Sequence, residues 1–296
     1  MLLGNRISIM KFDNDTHIKE NISYLKEIFF NKLKGSFSWG KFSLYLNAIS
    51  KNTDITALVQ KDYDFALKIE AFIIATDCLD DLMDGDNPSF NALVDPVCFT
   101  RKFINYSLRS IYDCLDSLKT KELFTHTLRK SLSAQEKDIK NKLTLNSSEM
   151  DYFTSGIDRS VYLLYAIVQI SAKKKQKDLF AFSYFFAASN QLKNDLANII
   201  SDSGSDLWDR KATLPVIKGL EAARHGEPKI FRYFINYFVH SDLSYFDHIR
   251  KFICDSGAIE YCQYVSNQCK KESYRCLNKS FPNSESVIEQ FYHYIS

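Results

Sequence analysis

Five of the eleven residues from Thr76 to Asp86 are aspartates, and they follow the apolar run AFIIA. On a helix, Asp77, Asp80, Asp81 and Asp84 have offsets of 0, 3, 4 and 7 and therefore share one face. Like charges at this spacing destabilise a helix, and a divalent cation relieves that repulsion. Mg²⁺ prefers oxygen ligands, commonly one or two carboxylates with water and substrate phosphates. The run alone is compatible with a metal site or with an acidic helix end in solvent.

A second oxygen-rich segment, QLKNDLANIISDSGSD, runs over Gln191–Asp206. Its Asn194, Asn198 and Asp202 have offsets of 0, 4 and 8 and share one helical face. The segment LWDRKATLPVI follows and places the cation of Lys211 near the start of a further predicted helix. Two such faces and a lysine suit a pocket in which Mg²⁺ links the protein to a diphosphate. There the metal and the lysine neutralise the charge that grows on a departing diphosphate.

These residues need helices to position them, and the composition favours helices. The chain has 296 residues, of which 45% are hydrophobic and 25% charged, as in ordinary globular proteins. Only 9 residues are glycine and 5 are proline, so tight turns are few. No strand alternation persists and no linker divides the chain, which predicts a single all-α domain over 1–296. Helical periodicity predicts helices near 15–31, 40–50, 57–84, 93–118, 120–143, 150–172, 178–203, 211–221, 228–239, 244–254, 257–278 and 283–294.

Charge and cysteine usage exclude several classes of protein. The formal net charge of +2 argues against nucleic acid as a main partner. The N-terminus lacks the order of a signal peptide, and the apolar stretch VYLLYAIVQISA is shorter than the roughly 18 residues of a membrane span. Seven cysteines without a CxxC pair predict reduced thiols in a cytoplasmic protein. Cys262, Cys269 and Cys276, seven residues apart, are interpreted as small buried side chains rather than as metal ligands.

With these motifs in order, the sequence resembles the trans-polyprenyl diphosphate synthase family over roughly residues 35–280. DDLMD looks like the first aspartate-rich motif of the family, and QLKND followed by Asn and Asp looks like the second, with Gln191 before it. RKATLP resembles the family's Gly-Lys-x-Thr-Leu-Pro segment, with Arg210 in place of glycine. IDRSVYLL lies where the family has Lys-Thr, with Arg159 in place of the lysine.

The resemblance implies an all-α isoprenoid synthase fold whose helices surround a deep apolar cavity. It implies three Mg²⁺ ions that hold an allylic prenyl diphosphate of C10–C20 between the two motif helices. Arg159 and Lys211 would hold the diphosphate, with Gln191 also at the substrate. The family is usually dimeric, so a homodimer is a further expectation. Carried over by position, the implied metal ligands are Asp80, Asp84, Asn194, Asn198 and Asp202, with Asp81 in a more indirect role.

The departures from the family pattern concern the second substrate. Elongating enzymes carry Gly-Lys-Arg near the N-terminus to hold isopentenyl diphosphate, and here Gly40 and Lys41 are followed by Phe42. They also carry Arg-Arg-Gly after the first motif, whereas residues 85–96 contain no basic residue. A diphosphate needs cationic partners when it leaves water. The allylic site is therefore expected to be kept and the isopentenyl site lost.

This combination is closest to the ComQ-type isoprenyl transferases of bacilli, whose acceptor is a tryptophan in a small peptide pheromone precursor. Two alternatives stay open. Another prenyl diphosphate enzyme is possible, either an elongating synthase or a terpene cyclase, and the spacing of Asn194, Asn198 and Asp202 matches the cyclases' Asn/Ser/Glu triad. A non-catalytic partner subunit is the third reading, suggested only by the substituted second motif.

The residues before the first motif predict the preferred chain length. Thr76 and Phe72 lie four and eight residues before Asp80, on the same helical face, and Ala75 adjoins them. The two small residues leave the upper part of a tail path open, and Phe72 forms a floor below them. This predicts a preference for about C15. The alternative reading is that Phe72 packs in the core away from any cavity.

Overall fold

The computed structural model describes residues 16–35, 37–84, 87–140, 142–173, 177–201 and 205–295. Within these residues every regular element is helical apart from one isolated bridge between Lys142 and Lys211, which confirms the all-α prediction. In chain order the α-helices are α1 (Thr16–Glu20), α2 (Ile22–Lys34), α3 (Trp39–Lys51), α4 (Gln60–Asp84), α5 (Pro88–Asn91), α6 (Pro96–Tyr112), α7 (Leu118–Lys140), α8 (Glu149–Asp151), α9 (Asp158–Ser171), α10 (Lys177–Ile200), α11 (Ser205–Trp208), α12 (Leu214–Gly226), α13 (Pro228–Phe238), α14 (Phe246–Asp255), α15 (Ala258–Ser280) and α16 (Glu285–Tyr294). Short 3₁₀ turns lie at Ile55–Ala57 and Leu243–Tyr245, and a π-helical turn at Tyr152–Gly156.

The internal contacts of the chain group into two compact units. The first unit contains Met1–Leu123, Ile167–Lys175 and Phe281–Ser296, and the second contains Phe124–Ala166 and Gln176–Ser280. The prediction of one domain, and that of a deep apolar cavity, both stay predictions. None of the described helices combines the length and the apolar character that crossing a membrane requires.

In the first unit, α4 is packed on both α3 and α6. Gly40 of α3 comes so close to α4 that its backbone N–H donates to Glu70 Oε2 at 2.6 Å. Glu70 is fully buried, and burial raises the pKa of its carboxyl despite this hydrogen bond. The last turns of α4 contribute Ala71, Ile74, Ala75 and Cys78 to an apolar cluster, completed by Ile18, Leu25, Phe29, Phe90, Phe99 and Phe103. The helix that carries the aspartates is thereby held by its apolar residues.

In the second unit, α10 and α15 pack along each other. Small residues allow the close approach: Ser266 of α15 donates to the backbone carbonyl of Ser189 in α10 at 3.0 Å. Cys262 and Cys269 are buried on the same face of α15, and all seven cysteines are free thiols. The interpretation of these cysteines as small buried side chains is confirmed for these two, whereas Cys276 is half-buried.

Three predicted helices differ from the observed ones, each for a local reason. The predicted helix over 93–118 begins only at Pro96, because Asp95 caps α6 through a hydrogen bond from the Cys98 N–H, and it ends at Tyr112. The predicted helix over 150–172 is interrupted by the π-helical turn at Tyr152–Gly156. The predicted helix over 211–221 begins at Leu214, because Lys211 is in the isolated bridge.

Candidate functional site

The predicted site residues fall into both units. The first unit contains the aspartates of α4 together with Phe72, Ala75 and Thr76. The second unit contains the oxygen-bearing residues of α10 and the predicted diphosphate ligands Arg159 and Lys211.

The acidic residues of the first motif occupy the last two turns of α4. Asp80 is exposed, while Asp77 and Asp81 are half-buried. Asp84 is the final residue of the helix, and only its backbone is described. The helix ends where the sequence predicted, so the four aspartates keep the helical spacing that places them on one face.

Two neighbouring residues moderate the repulsion within this acidic run. Lys32 of α2 forms an ion pair with Asp77, with Nζ 2.9 Å from Oδ2. Burial alone would lower the pKa of Lys32, but the charge of Asp77 outweighs it and raises that pKa above its ordinary value. Asn87 donates from Nδ2 to Asp81 Oδ2 at 2.9 Å, while its Oδ1 caps α5 by accepting from the Phe90 N–H. Asp77 and Asp81 are thus held by the protein itself.

The three residues predicted to set chain length lie just before the motif on α4. Phe72 is 3% exposed, and Ala75 is fully buried in the apolar cluster of the first unit. Thr76 is half-buried, and its Oγ1 donates to the backbone carbonyl of Ile73 at 2.8 Å, as a helical threonine commonly does. Their role in selecting chain length stays a prediction.

The second motif lies near the C-terminal end of α10. Asn194 is exposed and Asn198 is half-buried. The side-chain oxygen of Asn198 accepts a hydrogen bond from the Asp206 backbone N–H at 2.9 Å, which ties the end of α10 to the start of α11. Asp202, the third predicted ligand, lies outside the described residues.

A buried polar network holds Gln191 and the start of α9. Asp195 is 2% exposed and accepts hydrogen bonds from Tyr152 Oη at 2.7 Å and from Gln191 Nε2 at 2.8 Å. Gln191 Oε1 in turn accepts from Ser160 Oγ at 3.4 Å. Burial, and then the adjacent charge of Asp195, raises the pKa of Tyr152 well above its ordinary value, so Tyr152 acts as a donor. Because Tyr152 begins the π-helical turn, this network fixes the irregular segment that precedes Arg159.

The two predicted diphosphate ligands are held differently. Arg159 is half-buried and donates from Nη1 to Gln135 Oε1 at 2.9 Å, while its carbonyl accepts from Ser131 Oγ. Lys211 is exposed, with Nζ 3.2 Å from Asp206 Oδ1 and 3.7 Å from Asp209 Oδ2. An exposed pair of this kind contributes little to stability, so the lysine can exchange its partner at low cost.

Arg210, which precedes Lys211, has a left-handed backbone with φ of 57°. Glycine adopts this conformation readily, whereas arginine does so at some cost. Its carbonyl accepts a hydrogen bond from the Leu143 N–H at 2.8 Å, which helps to hold the strained residue. The position where the family has glycine therefore keeps a glycine-like backbone.

The donor chemistry of these residues fits Mg²⁺, because the predicted ligands are carboxylate and amide oxygens. No group of three or more His, Cys, Asp or Glu that could hold a metal occurs among the residues whose placement is described. Mg²⁺ commonly uses only one or two carboxylates and completes its shell with water and phosphate, so such a group is not required. Metal binding at these residues stays a prediction.

Sequence reasoning missed Lys32, Tyr152 and the role of Asp195. Lys32 and Tyr152 act across 45 and 43 residues of chain, which no local pattern reveals. Asn87 could have been found, since an asparagine immediately before a proline at a helix start is a capping signal.

No protein-family model matches the chain, and no curated protein matches it by sequence. Solved structures do match it. A heptaprenyl diphosphate synthase from Staphylococcus aureus matches with a TM-score of 0.76 at 13% identity, covering 98% of this chain and 95% of the other. A decaprenyl diphosphate synthase from Rhodobacter capsulatus matches with a TM-score of 0.77 at 16% identity, covering 99% and 94%.

A polyprenyl synthase from Caulobacter crescentus, solved in complex with calcium and isoprenyl diphosphate, matches with a TM-score of 0.76 at 17% identity over 97% and 91% of the two chains. At these identities the likeness shows the fold. The chain has the all-α fold of polyprenyl diphosphate synthases.

Proposed function

We propose that this protein is a Mg²⁺-dependent prenyl transferase that ionises an allylic prenyl diphosphate and transfers the prenyl group to a tryptophan of a small peptide. The observation that carries the proposal is the polyprenyl synthase fold over 98% of the chain, with aspartates in the last two turns of α4. Its free cysteines are consistent with action in the cytoplasm.

The proposed metal ligands are oxygen donors from both motifs: Asp80, Asp81, Asp84, Asn194, Asn198 and Asp202. When bound, Mg²⁺ supplies positive charge that stabilises the departing diphosphate. Arg159 and Lys211 bind the diphosphate oxygens and share that charge. Gln191, oriented by Asp195, contributes a polar contact to the same substrate. The hydrogen bond between Arg159 and Gln135 holds the guanidinium before substrate arrives.

The environment of Phe42 supports an acceptor other than isopentenyl diphosphate. Phe42 is fully buried, with its ring centroid 5.4 Å from those of both Trp39 and Phe291. An arginine cannot replace it there without burying a charge. The preceding Lys41 places Nζ 4.0 Å from the ring centroid of Tyr294. The segment where elongating enzymes supply an arginine is therefore part of an aromatic core in this protein.

Elongating synthesis is the second candidate, and the comparisons favour it: the matching structures include heptaprenyl and decaprenyl diphosphate synthases. Terpene cyclisation also needs only the allylic diphosphate, and it remains the reading favoured by the Asn194, Asn198 and Asp202 spacing.

One experiment separates these functions. The purified protein is incubated with Mg²⁺ and C10, C15 or C20 allylic diphosphates, each alone, with isopentenyl diphosphate, or with a tryptophan-containing peptide, and the products are identified by mass spectrometry. A prenylated peptide supports the proposal. A longer prenyl diphosphate shows an elongating synthase, and a hydrocarbon from the allylic substrate alone shows a cyclase. Release of no diphosphate under any condition contradicts all three.

A further inference from the structure

A second pocket lies in the first unit, at the opposite end of α4 from the aspartates. Its volume is about 220 Å³, the liquid volume of roughly seven water molecules. Lys61, Asp62 and Phe65 of the first turns of α4 contribute to its lining. Asp62 precedes Asp80 by 18 residues, so the pocket is about 27 Å along the helix from the first motif. Nothing in the proposed reaction uses it.

The walls of this pocket are largely apolar. Phe65, Leu115, Leu123 and Ile170 line it, and Leu115 and Ile170 are themselves buried. Pockets for drug-sized ligands usually have about 300–1,000 Å³, so this one suits a smaller molecule, such as a single ring with a short side chain.

One wall of the pocket carries a buried acceptor that no described residue satisfies. Asn47 is 3% exposed and donates from Nδ2 to Asp62 Oδ1 at 2.8 Å. Asp62 also accepts from Lys51 Nζ at 2.7 Å and from the Val59 N–H at 3.1 Å. Burial would raise the pKa of Asp62, but these three hydrogen bonds outweigh it and keep the pKa below its ordinary value.

The charge of Asp62 fixes the orientation of the Asn47 amide. An ionised carboxylate can only accept hydrogen bonds, so Asn47 must present its NH₂ group to Asp62 and its oxygen elsewhere. That oxygen, Oδ1, is buried without a hydrogen-bond partner among the described residues. A buried acceptor left unsatisfied is costly, and a donor on a bound ligand removes that cost.

The exposed residues of the lining favour an anion. Lys61 and Lys173 both line the pocket and are exposed, whereas Asp116 is the one exposed carboxylate in its lining. Asp62 is neutralised by Lys51, so the cations exceed the remaining anions by one.

We propose that this pocket binds a small amphipathic organic anion: a single-ring carboxylate with a hydrogen-bond donor at the end opposite its charge. The ring packs against Phe65, Leu115 and Ile170, the donor bonds to Asn47 Oδ1, and the carboxylate pairs with Lys61 and Lys173. This site is independent of the proposed prenyl transfer and does not require it.

The test uses 3-(4-hydroxyphenyl)propionate as the probe, with calorimetry or ligand-observed NMR on the full chain. Two relatives serve as controls: 3-phenylpropionate lacks the donor, and tyramine carries an amine instead of the carboxylate. We expect saturable binding of the probe, about tenfold weaker binding of 3-phenylpropionate, and no binding of tyramine. Equal binding of the probe and 3-phenylpropionate, or no saturable binding of the probe at millimolar concentration, overturns the proposal.

Variants of exposed lysines complete the test without disturbing the core. Lys61→Glu and Lys173→Glu should each weaken the probe several-fold, whereas Lys119→Glu, an exposed lysine outside the lining, should not. Equal weakening by all three would indicate non-specific attraction and overturn the site. A C20 allylic diphosphate should not displace the probe. Displacement would show that the pocket is the end of a prenyl-tail channel, which also overturns an independent site.

Discussion

Asp80 is the exposed aspartate of the acidic run on α4, and its replacement is the sharpest test of the metal proposal. Asp80→Ala and Asp84→Ala should each reduce turnover by at least about a hundredfold, because each removes a charged oxygen ligand. The helical circular dichroism should stay nearly unchanged, since the remaining carboxylates repel one another less. Asp113→Ala, an exposed aspartate just after α6, is the matched control and should keep full activity. Near-full activity of either motif variant rules out its proposed role.

Asn198 offers a gain-of-function test at the second motif. Asn198→Asp keeps an oxygen that can accept the hydrogen bond from the Asp206 N–H and adds a negative charge. If Asn198 is a metal ligand, the Mg²⁺ concentration for half-maximal activity should fall several-fold. Asn198→Ala loses both the ligand and the tether to α11, so it should require more Mg²⁺. An unchanged Mg²⁺ requirement in the aspartate variant assigns Asn198 a purely structural role.

The contact between α3 and α4 predicts a stability effect. A Cβ at position 40 would lie 2.9 Å from the Ala66 carbonyl oxygen and 3.3 Å from Glu70 Oε2. Gly40→Ala should therefore separate the helices and destabilise the fold by about 1–3 kcal/mol, measured by thermal unfolding. Gly226→Ala is the control, because a Cβ there meets no atom within 4 Å and alanine favours the helix. A Gly40→Ala protein as stable as the Gly226→Ala protein contradicts the tight contact.

The upper part of α4 predicts chain-length selection. Phe72→Ala should shift preference towards a longer allylic diphosphate, because it opens space two turns before Asp80. Phe103→Ala, at a fully buried position of α6, should cost similar stability, about 3–5 kcal/mol, without changing the preference. Product analysis with C10, C15 and C20 substrates measures both. If the two variants behave alike, Phe72 is a core residue only.

Most helices could be predicted because their apolar residues recur with helical periodicity, as in α4 and α10. The π-helical turn could not, because it depends on the hydrogen bond between Tyr152 and Asp195, which are distant in sequence. Lys211 was placed in a helix because its neighbours are compatible with one. The isolated bridge to Lys142 that keeps it extended is a tertiary contact.

The candidate site was predictable in residue type and spacing but not in environment. The four aspartates of α4 were found because their offsets place them on one face. That Lys32 pairs with Asp77, and that Asn198 is tied to Asp206, follows only from packing between segments. The same holds for Phe42: the sequence shows that the arginine is missing, and the structure shows the aromatic core in its place.

Ligand binding should stabilise the whole molecule. Inorganic diphosphate with Mg²⁺ should raise the Tm, since a ligand present at a hundred times its Kd stabilises the folded state by about 2.7 kcal/mol. Diphosphate with EDTA should have little effect, because the metal carries most of the neutralising charge. Asp80→Ala should lose most of the shift, whereas Asp113→Ala should keep it. A shift that survives EDTA contradicts metal-dependent binding.

The buried thiols give each unit its own clock for local opening. Burial raises the pKa of Cys78, in the first unit, and of Cys262, in the second, to about 12. Only a thiolate reacts with an alkylating reagent, so neither cysteine reacts appreciably until its surroundings open. Labelling rates under native conditions therefore measure two opening free energies in one chain. Equal rates would mean that the units open in a single cooperative event, and unequal rates would identify the unit that yields first.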